Sequence, residues 1–236
     1  MSPSFHIAID GPVAAGKGTV SRLVANRLGF VYIDTGAMYR TAALLAQRRG
    51  VSLDELERVT ELVKQARIDV RQPRDDEQDG RLSTVTLDDE DVSWQIRTLE
   101  IGTASSQVGE MKPVRAELVR KQQQIAVDKN VIMEGRDITY RVLPDADVKI
   151  YLTASEVVRA KRRHQQLLAK GIDTSFDEVY QQLMDRDQRD TSRAADPLQI
   201  VDEAWVVDTT DLTIDQVVTI ITSRVQAMID QHRHHA

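Results

Sequence analysis

The sequence contains no cysteine, and this absence excludes two kinds of site. None of its 236 residues can form a disulfide or bind a metal as a thiolate. A chain of this length can bury a substantial core without such cross-links. The lack of cysteine fits a reducing compartment, and we therefore expect a cytoplasmic protein.

Long apolar runs and positive charge are also scarce. No stretch approaches the ~20 apolar residues of a membrane span, and residues 1–12 lack the basic start and apolar run of a signal peptide. The 31 Lys and Arg residues are outnumbered by 37 Asp and Glu, for a net charge of −6. Binding to nucleic acid or to a membrane is therefore not expected.

Short runs of β-type residues alternate with longer segments of helical periodicity. The runs are residues 6–9, 30–33, 131–133, 148–152 and 205–207. Most are nearly all apolar, as in strands that are covered on both faces of a parallel sheet. Residues 17–28 and 213–231 have one apolar helical face each. This alternation predicts an α/β fold of three α/β/α layers around a five-stranded parallel sheet.

Residues 51–98 interrupt the alternation. A helical stretch is followed by two alternating runs, residues 68–71 and 82–87, which flank a polar loop. This pattern predicts a small antiparallel sheet within an inserted subdomain.

The segment GPVAAGKGT matches the G-x-x-x-x-G-K pattern of a phosphate-binding loop, the P-loop. It lies between the first predicted strand and the first predicted helix, which is the context that the motif requires. Its backbone N–H groups and the helix N-terminus would face the phosphates of ATP, and Lys17 would reach the β- and γ-phosphates. We predict that ATP contacts Gly11, Pro12, Val13, Ala14, Ala15, Gly16, Lys17, Gly18 and Thr19.

Gly18 stands where the general motif has the Ser or Thr that binds Mg²⁺, and the nearest hydroxyl is that of Thr19. We therefore expect no direct protein ligand for a metal and a Mg²⁺ ion that is held by ATP and water. The sequence GKGT resembles nucleoside monophosphate kinases more than GTPases, and the chain has no N-K-x-D motif for guanine.

Two other predicted strands end in groups that can bind phosphate. Residues 30–33 lead into DTGAMYR, with Thr35 and Arg40, and residues 131–133 lead into EGRD, with Arg136. Ligands of α/β sheets lie beyond the carboxyl ends of the strands, so we expect these side chains near the phosphate loop. A capped turn with a surface arginine, or a structural ion pair of Arg136, is the alternative.

A predicted helix near the C-terminal third of the chain concentrates arginines. At ~100° per residue, Arg186, Arg189, Asp190 and Arg193 fall on one face. Three cations beside one carboxylate repel one another unless an anion lies among them. The pattern favours a polyphosphate ligand, and a solvated charged face is the alternative.

Together these motifs resemble the bacterial cytidylate kinases from about residue 7 to residue 229. The resemblance rests on GPVAAGKGT, YIDTGAMYR, LDDEDVSWQIRT, ASSQVGEMKPVR, EGRD, LPDADVKIYL and RDQRDTSRAADPL. It implies an enzyme that transfers the γ-phosphoryl group of ATP to CMP or dCMP. The expected protein is a monomer whose partners are these small-molecule substrates. A kinase for another acceptor such as UMP or AMP, and a regulatory nucleotide-binding module, are the alternatives.

The resemblance also implies the division of the chain and the role of each site residue. Within a single domain of residues 1–236, the core would comprise residues 5–40, 99–155 and 197–231, the acceptor-binding insertion residues 41–98, and the lid region residues 156–196. Lys17, Arg136, Arg186 and Arg193 would be catalytic. Thr35, Arg40 and Arg136 would bind the CMP phosphate, and Ser106, Arg115 and Asp137 would bind the cytosine edge. Arg186 and Asp190 would hold the ribose hydroxyls. Arg193, with Arg189, would reach the phosphates as the lid closes.

Two positions depart from the family pattern. Ala14 stands where the family usually has glycine, which is tolerable unless the position needs a positive φ. Residues 138–142, ITYRV, replace a glycine-containing run of the form I-G-T-V-V and add bulk and a charge beside the acceptor site.

Overall fold

The computed structural model describes residues 4–77 and 79–235, with side chains up to residue 231. The strands are β1 (His6–Asp10), β2 (Val31–Asp34), β3 (Ile68–Arg71), β4 (Thr84–Leu87), β5 (Glu90–Asp91), β6 (Val131–Gly135), β7 (Val148–Thr153) and β8 (Trp205–Asp208). The α-helices are α1 (Lys17–Leu28), α2 (Thr35–Arg48), α3 (Leu56–Gln65), α4 (Leu99–Val108), α5 (Lys112–Ala126), α6 (Glu156–Leu168), α7 (Phe176–Ser192) and α8 (Ile214–His235).

The central sheet has five strands in the order β2-β6-β1-β7-β8, and every pair is parallel. Each strand begins where a predicted run begins, except that β2 begins at Val31, one residue later than predicted, so the predicted α/β fold is confirmed. The last residue of β1, Asp10, is paired with Gly135 of β6 and with Tyr151 of β7. The chain segments that follow β1 and β6 therefore leave the sheet side by side at its carboxyl edge.

Apolar layers cover both faces of this sheet. Ile7 and Ile9 of β1 point to one face and belong to the cluster that α1 and α8 complete, whereas Ala8 points to the other face and packs in the cluster of α2 and α5. This alternation follows from the two-residue period of a strand. The result is the predicted three-layer arrangement, in which β1 and β6 are mostly buried between helices and the edge strand β8 is partly exposed.

The inserted segment contains α3 and the antiparallel sheet β3-β4-β5. The third strand was not predicted, because β5 has only two residues, both charged and exposed, and therefore shows no alternation. Two aspartates with positive φ, Asp88 and Asp89, form the turn that leads into it. The helix α2 runs without a break past residue 41, where the insertion was predicted to begin.

Side chains fix the start of the two predicted C-terminal helices. The hydroxyl of Ser175 accepts from the N–H of Glu178, and the Glu178 carboxylate accepts from the N–H of Ser175, which forms a complete capping box for α7. Thr213 and Gln216 make the same reciprocal pair before α8. Among the described residues, no helix is both long and apolar enough to cross a membrane.

Candidate active site

The phosphate loop leaves β1 and closes on itself before α1 begins. Gly11 has φ 151°, and a Cβ there would collide with the carbonyl oxygen of Leu152 on β7, so only glycine fits. Gly16, with φ 93°, is the residue before α1. The buried side chain of Lys17 crosses the loop, and its Nζ donates to the carbonyl oxygens of Gly11 at 2.7 Å and Pro12 at 2.8 Å. The loop is thus held closed by its own lysine.

Burial and, to a smaller extent, the neighbouring Arg136 lower the pKa of Lys17 to about 7, against the opposing effect of Glu134. A Lys17 ammonium with so low a pKa is stabilised when a polyphosphate enters the loop. The residue therefore carries an electrostatic preference for an anion at this position.

Ala14 adopts a left-handed conformation with φ 60°. The departure from the family's glycine therefore falls at a position that does need a positive φ. A residue with a Cβ in this region costs about 1 kcal/mol relative to glycine. The fold tolerates this strain within the phosphate loop.

The structure explains the glycine at position 18. A Cβ on Gly18 would lie 2.9 Å from Oε1 of Glu134 and 3.3 Å from the hydroxyl oxygen of Tyr32. Tyr32 donates to the same Glu134 oxygen at 2.7 Å, so the two groups cannot both move away. Burial raises the pKa of Glu134, and the nearby Asp34 adds to the effect. Sequence reasoning did not single out this pair, although Glu134 directly precedes the predicted Arg136 segment.

The first acceptor segment, DTGAMYR with Thr35 and Arg40, begins at the last residue of β2. Asp34 caps α2 by accepting from the N–H of Ala37, and its Oδ2 lies 2.6 Å from Nη2 of Arg40 and 3.4 Å from Nη2 of Arg97. Burial acts to raise the pKa of Asp34, but Arg40 and Arg97 outweigh it and lower that pKa. Thr35 donates its hydroxyl to the carbonyl oxygen of Glu134 at 2.7 Å, which ties α2 to β6.

The second acceptor segment, EGRD with Arg136, begins at the end of β6 and bonds to a side chain of α7. Arg136 donates from Nε to Oδ2 of Asp190 at 2.7 Å. One turn earlier on α7, Arg186 differs, because its buried Nε has no hydrogen-bond partner within the described part of the chain. Burial, together with the nearby Arg136 and Arg40, lowers the pKa of Arg186 to about 10, whereas Asp190 acts in the opposite direction. A cation in such surroundings favours an anion among the three arginines.

A third group lies around Arg115, whose side chain is almost completely buried. Arg115 bonds to Asp137, donates to the carbonyl oxygen of Gly109 at 3.1 Å and lies over the ring of Tyr39, 5.3 Å from its centroid. Burial raises the pKa of Asp137, although Arg115 and Arg193 act to lower it. This carboxylate and guanidinium present adjacent acceptor and donor groups, which suits a planar base edge.

The remaining predicted residues are placed as follows. Nη2 of Arg193 lies 3.9 Å from Oδ1 of Asp137, so Arg193 belongs to the group around Arg115. Ser106 is half-buried on α4, three residues before Gly109. Arg189 is exposed and donates to the carbonyl oxygen of Asp185 in its own helix. The structure therefore does not bring Arg189 to the site, because it lies at the edge of the predicted face that turns toward solvent.

Asp10 is a buried site residue that the sequence reasoning missed. Its two carboxylate oxygens accept from the N–H of Ile138 at 2.9 Å and from the N–H and hydroxyl of Thr139 at 2.8 Å and 2.7 Å. These bonds fix the π-helical turn Ile138–Val142 directly after Asp137. Burial raises the pKa of Asp10 to about 6. An aspartate that ends an apolar strand before the loop glycine was the available signal.

Comparison with known proteins identifies the family. The model of the family described as cytidylate kinase matches residues 7–227. A cytidylate kinase of Bacillus cereus is 42% identical over 228 residues, which cover 97% of this chain and 99% of the relative. One of Bacillus thuringiensis is 43% identical over 218 residues, or 92% of this chain and 94% of the relative.

Solved structures support the fold alone. An uncharacterised protein from Eubacterium ventriosum superposes with a TM-score of 0.51 at 9% identity, over 94% of this chain and 99% of that chain. The family match covers the phosphate loop, both acceptor segments and α7. The resemblance that the motifs predicted is thereby confirmed: this chain belongs to the cytidylate kinase family.

Proposed function

We propose that this chain transfers the γ-phosphoryl group of ATP to CMP or dCMP and releases ADP with CDP or dCDP. Its membership of the cytidylate kinase family supports this activity and its assignment as an enzyme. The observation that carries the proposal is the cluster of Arg40, Arg136 and Arg186. One of these cations has no carboxylate partner among the described residues, and the cluster lies beside Lys17 of the phosphate loop.

On the donor side, the loop of residues 11–19 binds the phosphates of ATP through its backbone N–H groups and the N-terminus of α1. Lys17 moves from the carbonyl oxygens of Gly11 and Pro12 to the β- and γ-phosphate oxygens. Mg²⁺ bound with ATP would supply further stabilisation of the phosphate charge. Gly18 offers no hydroxyl at the position of the usual magnesium ligand, so the ion would be held by the nucleotide and water.

On the acceptor side, the CMP phosphate binds among Thr35, Arg40, Arg136 and Arg186. Nε of Arg186 bonds to the phosphate without losing a hydrogen bond to another described residue. Arg40 and Arg136 bond to the phosphate and also to Asp34 and Asp190, respectively. The attacking atom is already a phosphate oxygen, so the reaction needs no strong general base. The protein orients the two phosphates in line and stabilises the charge of a loose transition state.

The cytosine edge is read by the group around Arg115. The Asp137 carboxylate accepts from the exocyclic amino group, and Arg115 and Ser106 donate to the ring nitrogen and carbonyl. Uracil presents a carbonyl oxygen where cytosine has the amino group, and this oxygen repels the carboxylate. A buried site that is built to bond a donor rejects an analogue without it strongly.

We propose that residues 156–196 act as the lid and residues 41–98 as the acceptor-binding insertion of one domain of residues 1–236. Closure brings Arg193 to the phosphates and excludes water, which would otherwise accept the γ-phosphoryl group. Arg189 reaches them only by leaving its present position on the exposed side of α7. The protein acts as a monomer in the cytoplasm, where ATP and CMP are available.

A panel of monophosphates tests this proposal. ADP release is measured with CMP, dCMP, UMP, AMP and GMP as acceptors at equal concentration, with product identified by chromatography. We expect CMP and dCMP to exceed the others by at least ~100-fold in kcat/KM, because the polar edge is matched only by cytosine. Faster turnover of UMP or AMP contradicts the acceptor assignment. ATP binding without transfer to any acceptor indicates a regulatory module instead.

A further inference from the structure

The turn of residues 193–198, which follows α7, lies directly against the group around Arg115 that is proposed to bind the cytosine edge. Arg193 donates from Nε to the carbonyl oxygen of Asp196 at 2.8 Å and also bonds to it through Nη2. Asp196 has φ 47°, a left-handed conformation that turns this carbonyl toward the guanidinium. Aspartate and asparagine are among the few residues with a side chain that tolerate this region. The backbone of the turn therefore fixes the position of Arg193.

The carboxylate of Asp196 holds a second arginine of the site. Its Oδ2 accepts from Nε of Arg115 at 2.9 Å, and its Oδ1 lies 3.6 Å from Nε of Arg141. With Asp137 and the Gly109 carbonyl, this bond gives all three nitrogens of the Arg115 guanidinium a partner. A single residue thus contacts both Arg115 and Arg193, through its side chain and its backbone respectively.

The turn is itself anchored from outside by the segment that departs from the family pattern. Tyr140 donates its hydroxyl to the carbonyl oxygen of Pro197. On the other side of the turn, the N–H of Leu198 donates to the carbonyl oxygen of Asp190 at 2.7 Å. Tyr140 stands on the π-helical turn that Asp10 fixes through Thr139, so the anchor is rigid. The bulk and charge at residues 139–141 therefore have a structural purpose at the acceptor site.

From these contacts we infer that Tyr140 and Asp196 are positioning residues that set the affinity and base selectivity of the acceptor site. This inference rests on the proposed function. Tyr140 holds the turn, and Asp196 holds Arg115 through its carboxylate and Arg193 through its backbone carbonyl. Neither residue touches the phosphate loop, so their effect is confined to the acceptor.

The test uses the full-length enzyme with Tyr140→Phe, which deletes one hydroxyl, and Asp196→Asn, which deletes one charge and keeps a residue that tolerates the left-handed region. The matched control is Asp202→Asn, at an exposed turn that precedes β8 on the opposite edge of the sheet. Steady-state kinetics are measured with CMP, UMP and ATP, and thermal melting confirms that each variant is folded.

We expect Tyr140→Phe to raise the KM for CMP about fivefold and Asp196→Asn about 20-fold, as expected for one neutral and one charged hydrogen bond. The KM for ATP and kcat should change less than about twofold, since no transition-state contact is lost. The ratio of kcat/KM for CMP to that for UMP should fall in both variants, because a loosened Arg115 discriminates less. The control should match the wild type in every constant.

Equal losses for ATP and CMP, or an unchanged KM for CMP in both variants, overturn the inference. A lower melting temperature with an unchanged CMP-to-UMP ratio also overturns it, because a merely structural role gives that result. The activity of the wild type separates a failure of this inference from a failure of the proposed function. If the wild type phosphorylates CMP and the variants behave like the wild type, only the inference is rejected. A wild type that does not phosphorylate CMP rejects both.

Discussion

The phosphate loop and the acceptor site both bind phosphate, but they are built differently. The loop takes its ligand-facing groups from nine consecutive residues, 11–19, and is held by the bonds from Lys17 to two backbone carbonyls. The acceptor site takes its groups from α2, α4, α5, the end of β6 and α7, and carboxylates hold its arginines Arg40, Arg115 and Arg136. The phosphate loop is therefore formed mainly by the backbone of one continuous segment, whereas the acceptor site is formed by side chains that the tertiary fold brings together.

This difference affects how each site responds to its ligand. Lys17 exchanges neutral carbonyl partners for phosphate oxygens, so ATP gains a full charge interaction. Arg40 and Arg136 already pair with Asp34 and Asp190, so the acceptor phosphate gains less from each of them. Arg186 is the exception, and it should account for most of the acceptor-side electrostatic energy.

The largest effect is expected from Lys17→Met, the variant that breaks the donor side. Loss of the charge beside the transferred group should lower kcat about 10³-fold. CMP binding in the absence of ATP should stay within about twofold of the wild type, because the acceptor site has separate supports. Phosphoryl transfer and CMP titration are measured on the same preparation. A loss of CMP affinity equal to the loss of turnover contradicts the separation of the two sites.

Arg186→Ala should weaken the acceptor side and at the same time stabilise the fold. We expect kcat/KM for CMP to fall about 100-fold, whereas the free energy of unfolding should rise by about 1 kcal/mol, since a poorly paired buried cation is removed. The comparison variant Arg136→Ala should instead lose about 2 kcal/mol, because Asp190 is left without Arg136. Urea denaturation distinguishes the two. Equal destabilisation by both variants shows that Arg186 is paired in solution.

The pH dependence of ATP binding should sharpen the contrast. Burial lowers the pKa of Lys17 to about 7 in the free protein, and bound phosphates raise it, so binding above pH 7 takes up a proton. The affinity for ATP should therefore fall about fivefold from pH 7 to pH 8. Calorimetry in two buffers of different ionisation enthalpy measures the uptake. Lys17→Arg should abolish it, and proton uptake that persists in this variant assigns the titration to another group.

The smallest effect is expected from Ala14→Gly in the phosphate loop. Relief of the left-handed strain should raise the free energy of unfolding by about 0.5 kcal/mol, since the greater freedom of glycine in the unfolded chain offsets part of the gain. CMP binding should not change. Thermal or urea unfolding measures the difference. A destabilised Ala14→Gly variant indicates that residue 14 is not strained.

The same contrast explains what the sequence could predict. The five strands and the phosphate loop were predicted because each depends on neighbouring residues, whose periodicity or motif is visible locally. The faces of α7 were predicted only in part: periodicity grouped Arg189 with Arg186, but it does not say which edge of the group turns to the core. Strand β5 was too short and too charged to show a pattern.

The base-binding part of the acceptor site could not be derived from local patterns. Ser106 and Arg115 entered only through the family resemblance, since nothing near them in the sequence indicates a base-binding role. The bond between Arg115 and Asp196 joins residues 81 positions apart. Asp10 and Tyr140 act by holding other segments in place, and such roles depend on tertiary contacts that no spacing reveals.

Equilibrium binding to the Arg186→Ala variant is the sharpest test of whether the acceptor phosphate is bound by Arg186, for which the described residues supply no carboxylate partner. CMP and ATP are titrated separately by calorimetry into the wild type and the variant. We expect the Kd for CMP to rise about 30-fold, equivalent to about 2 kcal/mol, and the Kd for ATP to change less than about twofold. An unchanged affinity for CMP, or an equal loss for both nucleotides, would contradict this role of Arg186.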